Sequence, residues 1–138
     1  LTDGIVKLLK SDLKNKEIDF QVKIDQPNLK ISIDPELIEM VLINLIKNAS
    51  QAVKNVENAR VTLASTVNEQ QHVTISVTDN GMGIIPEALD QIFIPFYTTK
   101  KDGSGIGLSL SRQIMQLHKG SLTVDSKPNI CTEFKLTF

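Results

Sequence analysis

The stretch that decides the fold is HVTISVTDNGMGI, residues 72–84. Its apolar and polar residues alternate, which is typical of a strand with one buried face. Asp79 continues the alternation, so we expect its carboxylate to point toward the core. Burying a charge is costly unless the charge receives hydrogen bonds. We therefore predict a pocket at the end of this strand. There Asp79 accepts a donor such as an exocyclic amine, and Gly81 and Gly83 let a flat ring approach the backbone.

A hairpin turn is the alternative interpretation of this stretch, because Asp-Asn-Gly is also a good turn sequence. A turn of that kind leads directly into another strand. Residues 80–105 instead read as irregular, with one helical turn near residues 86–91. The pocket therefore accounts better for the long irregular segment after the strand.

The composition is that of one globular domain covering residues 1–138. Hydrophobic residues make up 41% and charged residues 22%, a balance that is expected for a packed core with a solvated surface. The net charge of −1 argues against a general attraction to nucleic acid or acidic membranes. No apolar run approaches the roughly 20 residues of a membrane span. Because the chain begins at Leu1 rather than Met, we expect a piece of a longer protein.

Outside the opening stretch, the periodicities predict alternating groups of helices and strands. An Asp34-Pro35 start is typical of a capped helix, and Pro27-Asn28 predicts a hairpin turn. The predicted helices cover residues 3–15, 34–53 and 106–118, and the predicted strands cover residues 18–24, 29–33, 60–67, 72–79, 121–126 and 132–138. We expect an α+β fold, a two-layer α/β sandwich whose mixed, mostly antiparallel sheet carries three main helices on one face.

One polar stripe interrupts the otherwise apolar second helix. Asn44, Lys47, Asn48 and Gln51 lie at i, i+3, i+4 and i+7 and so share a face. A solvated face is the simpler interpretation of such a stripe. An asparagine carbonyl oxygen, however, suits a hard cation that is already paired with phosphate charge.

Glycines at positions 103, 105 and 107 precede the last long helix in KKDGSGIGLSLSRQI, residues 100–114. Bare N–H groups at a helix N-terminus form a phosphate cradle. The spacing matches neither the dinucleotide fingerprint nor the P-loop, and a flexible connector is the alternative interpretation. The preceding segment offers a hydrophobic anchor, with ordinary core as the alternative, followed by donors and positive charge, with a solvated lysine pair as the alternative. The anchor is Phe93, Pro95 and Phe96, and the donors are Thr98, Thr99, Lys100 and Lys101.

The order of these motifs resembles the ATP-binding catalytic domain of bacterial sensor histidine kinases. Asn-x-x-x-Asn, Asp-x-Gly-x-Gly, Phe-x-Pro-Phe and Gly-x-Gly-x-Gly-Leu follow one another over residues 34–138. That family shares the Bergerat ATP-binding fold with DNA gyrase B, MutL and the large heat-shock chaperones. Residues 48–53 and 96–114 look most like the nitrogen-regulatory branch of the kinases.

The resemblance implies a site for ATP and Mg²⁺. Asn48 would coordinate Mg²⁺, Asp79 would hydrogen-bond the adenine amino group, and Lys100 would reach the terminal phosphate, with Asn44 as a second catalytic candidate. The family's Lys-Tyr pair is replaced here by Gln51 and Ala52, which shifts the phosphate contact to Lys47 or Lys100. The other nucleotide-binding candidates surround the base or line the family's ATP lid: Lys47, Gln51, Gly81, Gly83, Ile84, Thr99, Gly103, Ser104, Gly105, Ile106, Gly107 and Leu108.

Neither histidine of the chain resembles the family's phosphoacceptor, because His72 and His118 are not followed by an acidic residue. We therefore expect the acceptor histidine on a separate dimerisation domain, and indirectly a response regulator as partner. The resemblance also implies a monomeric, cytoplasmic domain whose parent is membrane-bound or soluble, with no nucleic-acid partner. The alternatives are an ATPase switch and an anti-sigma-type serine kinase. The ATPases place a glutamate as general base where this chain has Asn44.

Overall fold

The computed structural model describes residues 3–99 and 103–138, in which helices pack on one face of a five-stranded sheet. The helices are α1 (Asp3–Asn15), α2 (Pro35–Ala52), α3 (Pro86–Leu89) and α4 (Gly107–Leu117). The strands are β1 (Asp19–Ile24), β2 (Arg60–Val67), β3 (Val73–Asp79), β4 (Ser121–Lys127) and β5 (Cys131–Thr137).

The strands lie in the order β1-β2-β3-β5-β4, with β1 parallel to β2 and every other pair antiparallel. One face carries the buried aliphatic and aromatic residues that pack against α2 and α4, including Val61, Val77 and Phe134. The opposite face carries mostly Thr, Ser and charged residues. This arrangement confirms the predicted α+β sandwich with its mixed, mostly antiparallel sheet.

The predicted hairpin of strands 18–24 and 29–33 is wrong. The partner of β1 is β2, to which β1 runs parallel from the Asp19–Arg60 pair to the Ile24–Ser65 pair. Residues 29–33 form no strand. Their alternation has another cause, because they lead as an extended segment into α2 and only Ile33 packs against the core.

Helix α2 begins as predicted from Asp34 and Pro35. The Asp34 carboxylate accepts hydrogen bonds from the backbone N–H groups of Glu36 at 3.0 Å and Leu37 at 3.2 Å. These bonds satisfy two of the N–H groups that a helix leaves unpaired at its start. The backbone N–H of Asp34 itself donates to His118 Nε2 at 3.0 Å. His118 therefore carries its ring proton on Nδ1, which lies 2.7 Å from Ile114 O.

Helices α2 and α4 consequently run antiparallel, with hydrogen bonds at two places along α2. His118 follows the C-terminus of α4 and meets the start of α2, whereas Asn44 in the middle of α2 donates to Ser111 in the first turns of α4. Between these contacts a groove of about 140 Å³ is lined by apolar side chains such as Met40 and Leu110. Within residues 3–99 and 103–138, no helix is long and apolar enough to cross a membrane.

Replacing the cap residue, Asp34→Ala, should lower the free energy of unfolding by about 1 kcal/mol, because two N–H groups of α2 lose their acceptor. Urea denaturation followed by circular dichroism measures the change. Asp12→Ala serves as the control, since Asp12 forms only an exposed ion pair with Lys16, which is worth at most about 0.5 kcal/mol. Equal losses in the two variants would contradict the capping role.

Candidate functional site

Asp79 ends β3 on the helix-facing side of the sheet, as its place in the alternation predicts. Its side chain is 5% exposed, and Oδ1 accepts a hydrogen bond from the backbone N–H of Gly81 at 2.8 Å. The charge is thus partly compensated by the loop that follows it, which is what a buried carboxylate requires.

The neighbouring strands continue this polar end of the core. Thr132 lies directly opposite Asp79 and Ser126 lies directly opposite Thr132, so the three residues form one row across β3, β5 and β4. Thr132 is 3% exposed, and its hydroxyl lies 2.8 Å from that of Ser126. The sequence analysis missed Ser126 and Thr132. Their signal was present, because both are polar residues at core-facing positions of the last two predicted strands.

The loop after Asp79 is held from both sides by backbone contacts. On one side, the N–H of Met82 donates to Ala52 O at the end of α2, at 3.3 Å. On the other side, Met82 O accepts from Asn129 N at 2.6 Å, and Ile84 N donates to Ser126 Oγ at 2.7 Å. The loop is therefore attached both to the end of α2 and to β4 with the turn that follows it.

The glycines of this loop are required by those close approaches. A Cβ on Gly81 would lie 2.5 Å from Ala52 O. Gly83 has a positive φ of 73°, and a Cβ there would lie 2.5 Å from Lys127 O. The side chain of Asn80 also fixes the start of the loop. Its Oδ1 accepts a hydrogen bond from Arg60 N at 2.7 Å, and its Nδ2 donates to Asn58 O at 2.9 Å.

The polar stripe of α2 separates into residues of different exposure. Lys47 and Gln51 are exposed, whereas Asn48 is half-buried. The Asn44 Nδ2 donates to Ser111 Oγ at 3.2 Å, and a Cβ on Gly107 would overlap Asn44 Oδ1. The stripe is therefore not a uniformly solvated face.

The glycine-rich segment contacts the polar stripe of α2 at the start of α4, where Gly107 lies against Asn44. Gly105 has a φ of 71°, and its carbonyl accepts from Phe96 N at 2.8 Å. Among the remaining candidates, Thr99, Ser104 and Ile106 are exposed, Gly103 is half-buried, and Leu108 packs against the core. Lys100, the predicted contact to the terminal phosphate, lies outside the described residues.

The predicted hydrophobic anchor before this segment is only partly correct. Phe93 packs against the core, and Arg112 of α4 lies over its ring at 4.0 Å from the centroid, a cation–π contact. Phe96, in contrast, is 76% exposed and has a φ of 69°. The glycine-rich segment is attached to the backbone of Phe96 and not to its ring, because Phe96 N donates to Gly105 O and Gly105 packs against the Phe96 backbone.

One face of α2 thus connects the two predicted ends of the site. Ala52 contacts the loop after Asp79, Asn44 contacts the start of α4, and Asn48 lies between them. Eight residues at 1.5 Å per residue separate the two contacts by about 12 Å along the helix. Beside the Ala52 contact, an open cleft of about 390 Å³ is lined by the end of α2, residues 80–82 and Asn129.

Such an arrangement can bind an elongated ligand that carries a hydrogen-bond donor at one end and negative charge at the other. The donor would face Asp79, and the charge would face the N-terminus of α4. Asn48 offers a hard amide oxygen between them, which fits Mg²⁺ completed by phosphate oxygens and water. Within the described ranges, no group of three or more His, Cys, Asp or Glu side chains could hold a metal ion.

Comparison with known protein families and curated proteins gives consistent matches. Residues 33–138 match the family described as histidine kinase-, DNA gyrase B-, and HSP90-like ATPase. The sensor histidine kinase ZraS of Escherichia coli (strain K12) is 34% identical over 136 residues, which are 99% of this chain and 29% of ZraS. The sensory histidine kinase/phosphatase NtrB of Vibrio alginolyticus is 30% identical over 112 residues, 75% of this chain and 32% of NtrB. The chain thus spans less than a third of these relatives.

Solved structures show the same fold. The catalytic domain of histidine kinase ThkA superimposes with a TM-score of 0.85 at 31% identity, covering 98% of this chain and 87% of that domain. ThkA in complex with the response regulator protein TrrA gives a TM-score of 0.77 at 29% identity, covering 97% of this chain and 38% of the kinase.

Gly83→Ala should disturb the Asp79 loop. A positive φ costs a residue with a side chain roughly 1–2 kcal/mol, and the new methyl group would also meet Lys127 O. We expect the free energy of unfolding to fall by about 2 kcal/mol or more, measured by urea denaturation. Gly4→Ala is the matched control, because no atom lies within 4 Å of its Cβ position in α1. It should leave stability unchanged or raise it by less than about 1 kcal/mol; similar losses in both variants would contradict the close approach at Gly83.

Proposed function

Because the chain belongs to the family of histidine kinase-, DNA gyrase B-, and HSP90-like ATPases and is homologous to the catalytic domains of sensor histidine kinases, we propose that it binds ATP along α2 and transfers its γ-phosphoryl group to a histidine on a separate domain. The kinase homology expected from the motifs is confirmed, and the similarity to NtrB is consistent with a nitrogen-regulatory-like branch. In the proposed transfer, the bond from the γ-phosphorus to the β–γ bridging oxygen breaks, a phosphorus–nitrogen bond forms, and ADP leaves.

The observation that carries this proposal is the single face of α2 that joins the Asp79 pocket to the N-terminus of α4. Asp79 is buried and faces the core, so its carboxylate would favour a ligand that brings an amine as a hydrogen-bond donor. The start of α4 supplies backbone N–H groups and positive potential for phosphate. The Ala52 and Asn44 contacts are about 12 Å apart along α2. This separation is similar to the length of a nucleoside triphosphate.

Each chain residue then has a defined part in the proposed reaction. Asp79 orients the base, and Gly81 and Gly83 admit it to the backbone. Asn48 would hold Mg²⁺, which neutralises charge on the phosphates when it is bound. The N–H groups at the start of α4 hold the phosphates in place, so that positioning and electrostatics lower the barrier.

An ATPase switch of the same family is less well supported. Water attack needs a group that accepts a proton, and the side chain one turn before Asn48 is the amide of Asn44. That amide contacts α4 rather than an open space. We therefore favour transfer to a histidine, whose nitrogen is itself the nucleophile.

The partners in this proposal are the domain that carries the acceptor histidine and a response regulator. Support for the response regulator comes from one solved structure of ThkA, which is a complex with the response regulator protein TrrA. A cytoplasmic location follows from the need for ATP, and a separate dimerisation domain in the parent leaves this domain monomeric. The test of the complete proposal is to incubate the parent kinase with γ-labelled ATP and to look for acid-labile label on a histidine outside residues 1–138.

Asp79→Asn should abolish discrimination between ATP and GTP. The variant keeps an oxygen for Gly81 N but turns the other oxygen into a donor that opposes the adenine amine. Calorimetric titration of the wild-type chain should show ATP binding at least about tenfold tighter than GTP, because GTP presents an oxygen to the carboxylate. The exposed Asp25→Asn serves as the control. Equal affinities of the wild type for both nucleotides would remove Asp79 from the base pocket.

Asn48→Ala should remove the dependence of nucleotide binding on Mg²⁺, because the variant lacks the amide oxygen that completes the metal's coordination. ATP affinity is measured with and without Mg²⁺ for the wild type and the variant. Gln51→Ala is the matched control, since Gln51 is an exposed amide on the same stripe. An unchanged Mg²⁺ dependence in Asn48→Ala would exclude Asn48 as the metal ligand.

A further inference from the structure

Helices α2 and α4 are in direct contact where Asn44 meets the first turns of α4. The Asn44 Nδ2 donates to Ser111 Oγ at 3.2 Å, and the Ser111 hydroxyl donates to Gly107 O at 2.7 Å. Gly107 lies so close to Asn44 Oδ1 that a Cβ would overlap that oxygen. Both ends of the Asn44 amide are therefore in contact with α4. Ser111 is 2% exposed, so water cannot readily replace these bonds.

We propose that Asn44 is a positioning residue, which acts through Ser111 and Gly107 to hold the N-terminus of α4 at a fixed place relative to Asn48. This inference rests on the proposed ATP site. It replaces the direct catalytic role that the sequence suggests for Asn44. An amide that contacts phosphate or metal would have to leave Ser111, and the Gly107 side would still crowd its oxygen.

The position of α4 matters because its bare N–H groups can stabilise phosphate only at hydrogen-bonding distance. Asn44 and Asn48 are one turn apart on the same face of α2. A metal ligand at Asn48 and a phosphate cradle at Gly105 and Gly107 therefore keep their spacing only if α4 stays in register with α2. The Asn44–Ser111–Gly107 contact sets that register at the phosphate end.

The test is a double-mutant cycle on the 138-residue chain, with Asn44→Ala, Ser111→Ala and the double variant. MgATP affinity is measured by calorimetry and adenosine affinity by NMR titration. Each single variant should weaken MgATP binding by about two- to tenfold, the range for one lost hydrogen bond. The double variant should have the same MgATP affinity as the single variant that binds MgATP less tightly, because both substitutions remove the same contact. Adenosine affinity should not change, because the base end of the site is not involved.

Ser109→Ala is the matched control. Ser109 is buried in the same turns of α4, but its hydroxyl donates to Ile106 O within its own segment, at 2.9 Å. Its loss should leave MgATP affinity within about twofold. Circular dichroism checks folding, and Asn44→Leu, which keeps the branched shape of the side chain and removes its polar groups, replaces Asn44→Ala if that variant unfolds.

Several outcomes would overturn the inference. Independent, multiplying effects of Asn44→Ala and Ser111→Ala would do so, as would an equal loss of adenosine and MgATP affinity. An altered Mg²⁺ dependence in the Asn44 variant but not in the Ser111 variant would indicate direct metal contact instead. If the wild-type chain binds no MgATP, the proposed function fails and this inference fails with it, whereas the other outcomes overturn the inference alone.

Discussion

The site depends on two places where backbone from elsewhere in the chain packs directly onto α2. Gly81 lies against Ala52 O and Gly107 lies against Asn44. Neither contact leaves room for a methyl group, so any side chain at these positions would move the loop or the helix outward. The two contacts lie at different places along α2, and Asn48 lies between them.

The polar end of the core at Asp79 follows from the geometry of the sheet. At the end of β3 the core-facing row changes from Val77 and Phe134 to Asp79, Thr132 and Ser126. Buried polar groups need partners, and here they find them in each other and in the Gly81 and Ile84 backbone. In the proposed function, the same donors and acceptors that make burial tolerable would face the polar groups of the nucleotide base.

The sequence was sufficient for features that depend on local patterns and insufficient for those that depend on distant partners. Three features can each be read within a single helix or strand, and the structure agrees with them. They are the alternation around Asp79, the Asp34-Pro35 helix start and the polar stripe of α2. Strand pairing is not local, so the alternation of residues 29–33 could not reveal that β1 pairs with β2. For the same reason, Phe96 reads as core although a backbone contact with Gly105 turns its ring outward.

The antiparallel arrangement of α2 and α4 has a mechanical consequence. Asp34–His118 joins the helices at the start of α2, and Asn44–Ser111 joins them in the middle of α2, about 15 Å away for ten residues of helix. These two hydrogen-bonded contacts oppose rotation of one helix relative to the other. We therefore expect a displacement of α4 at the Asn44 contact to be accompanied by a displacement at the His118 contact, so that the two helices move together.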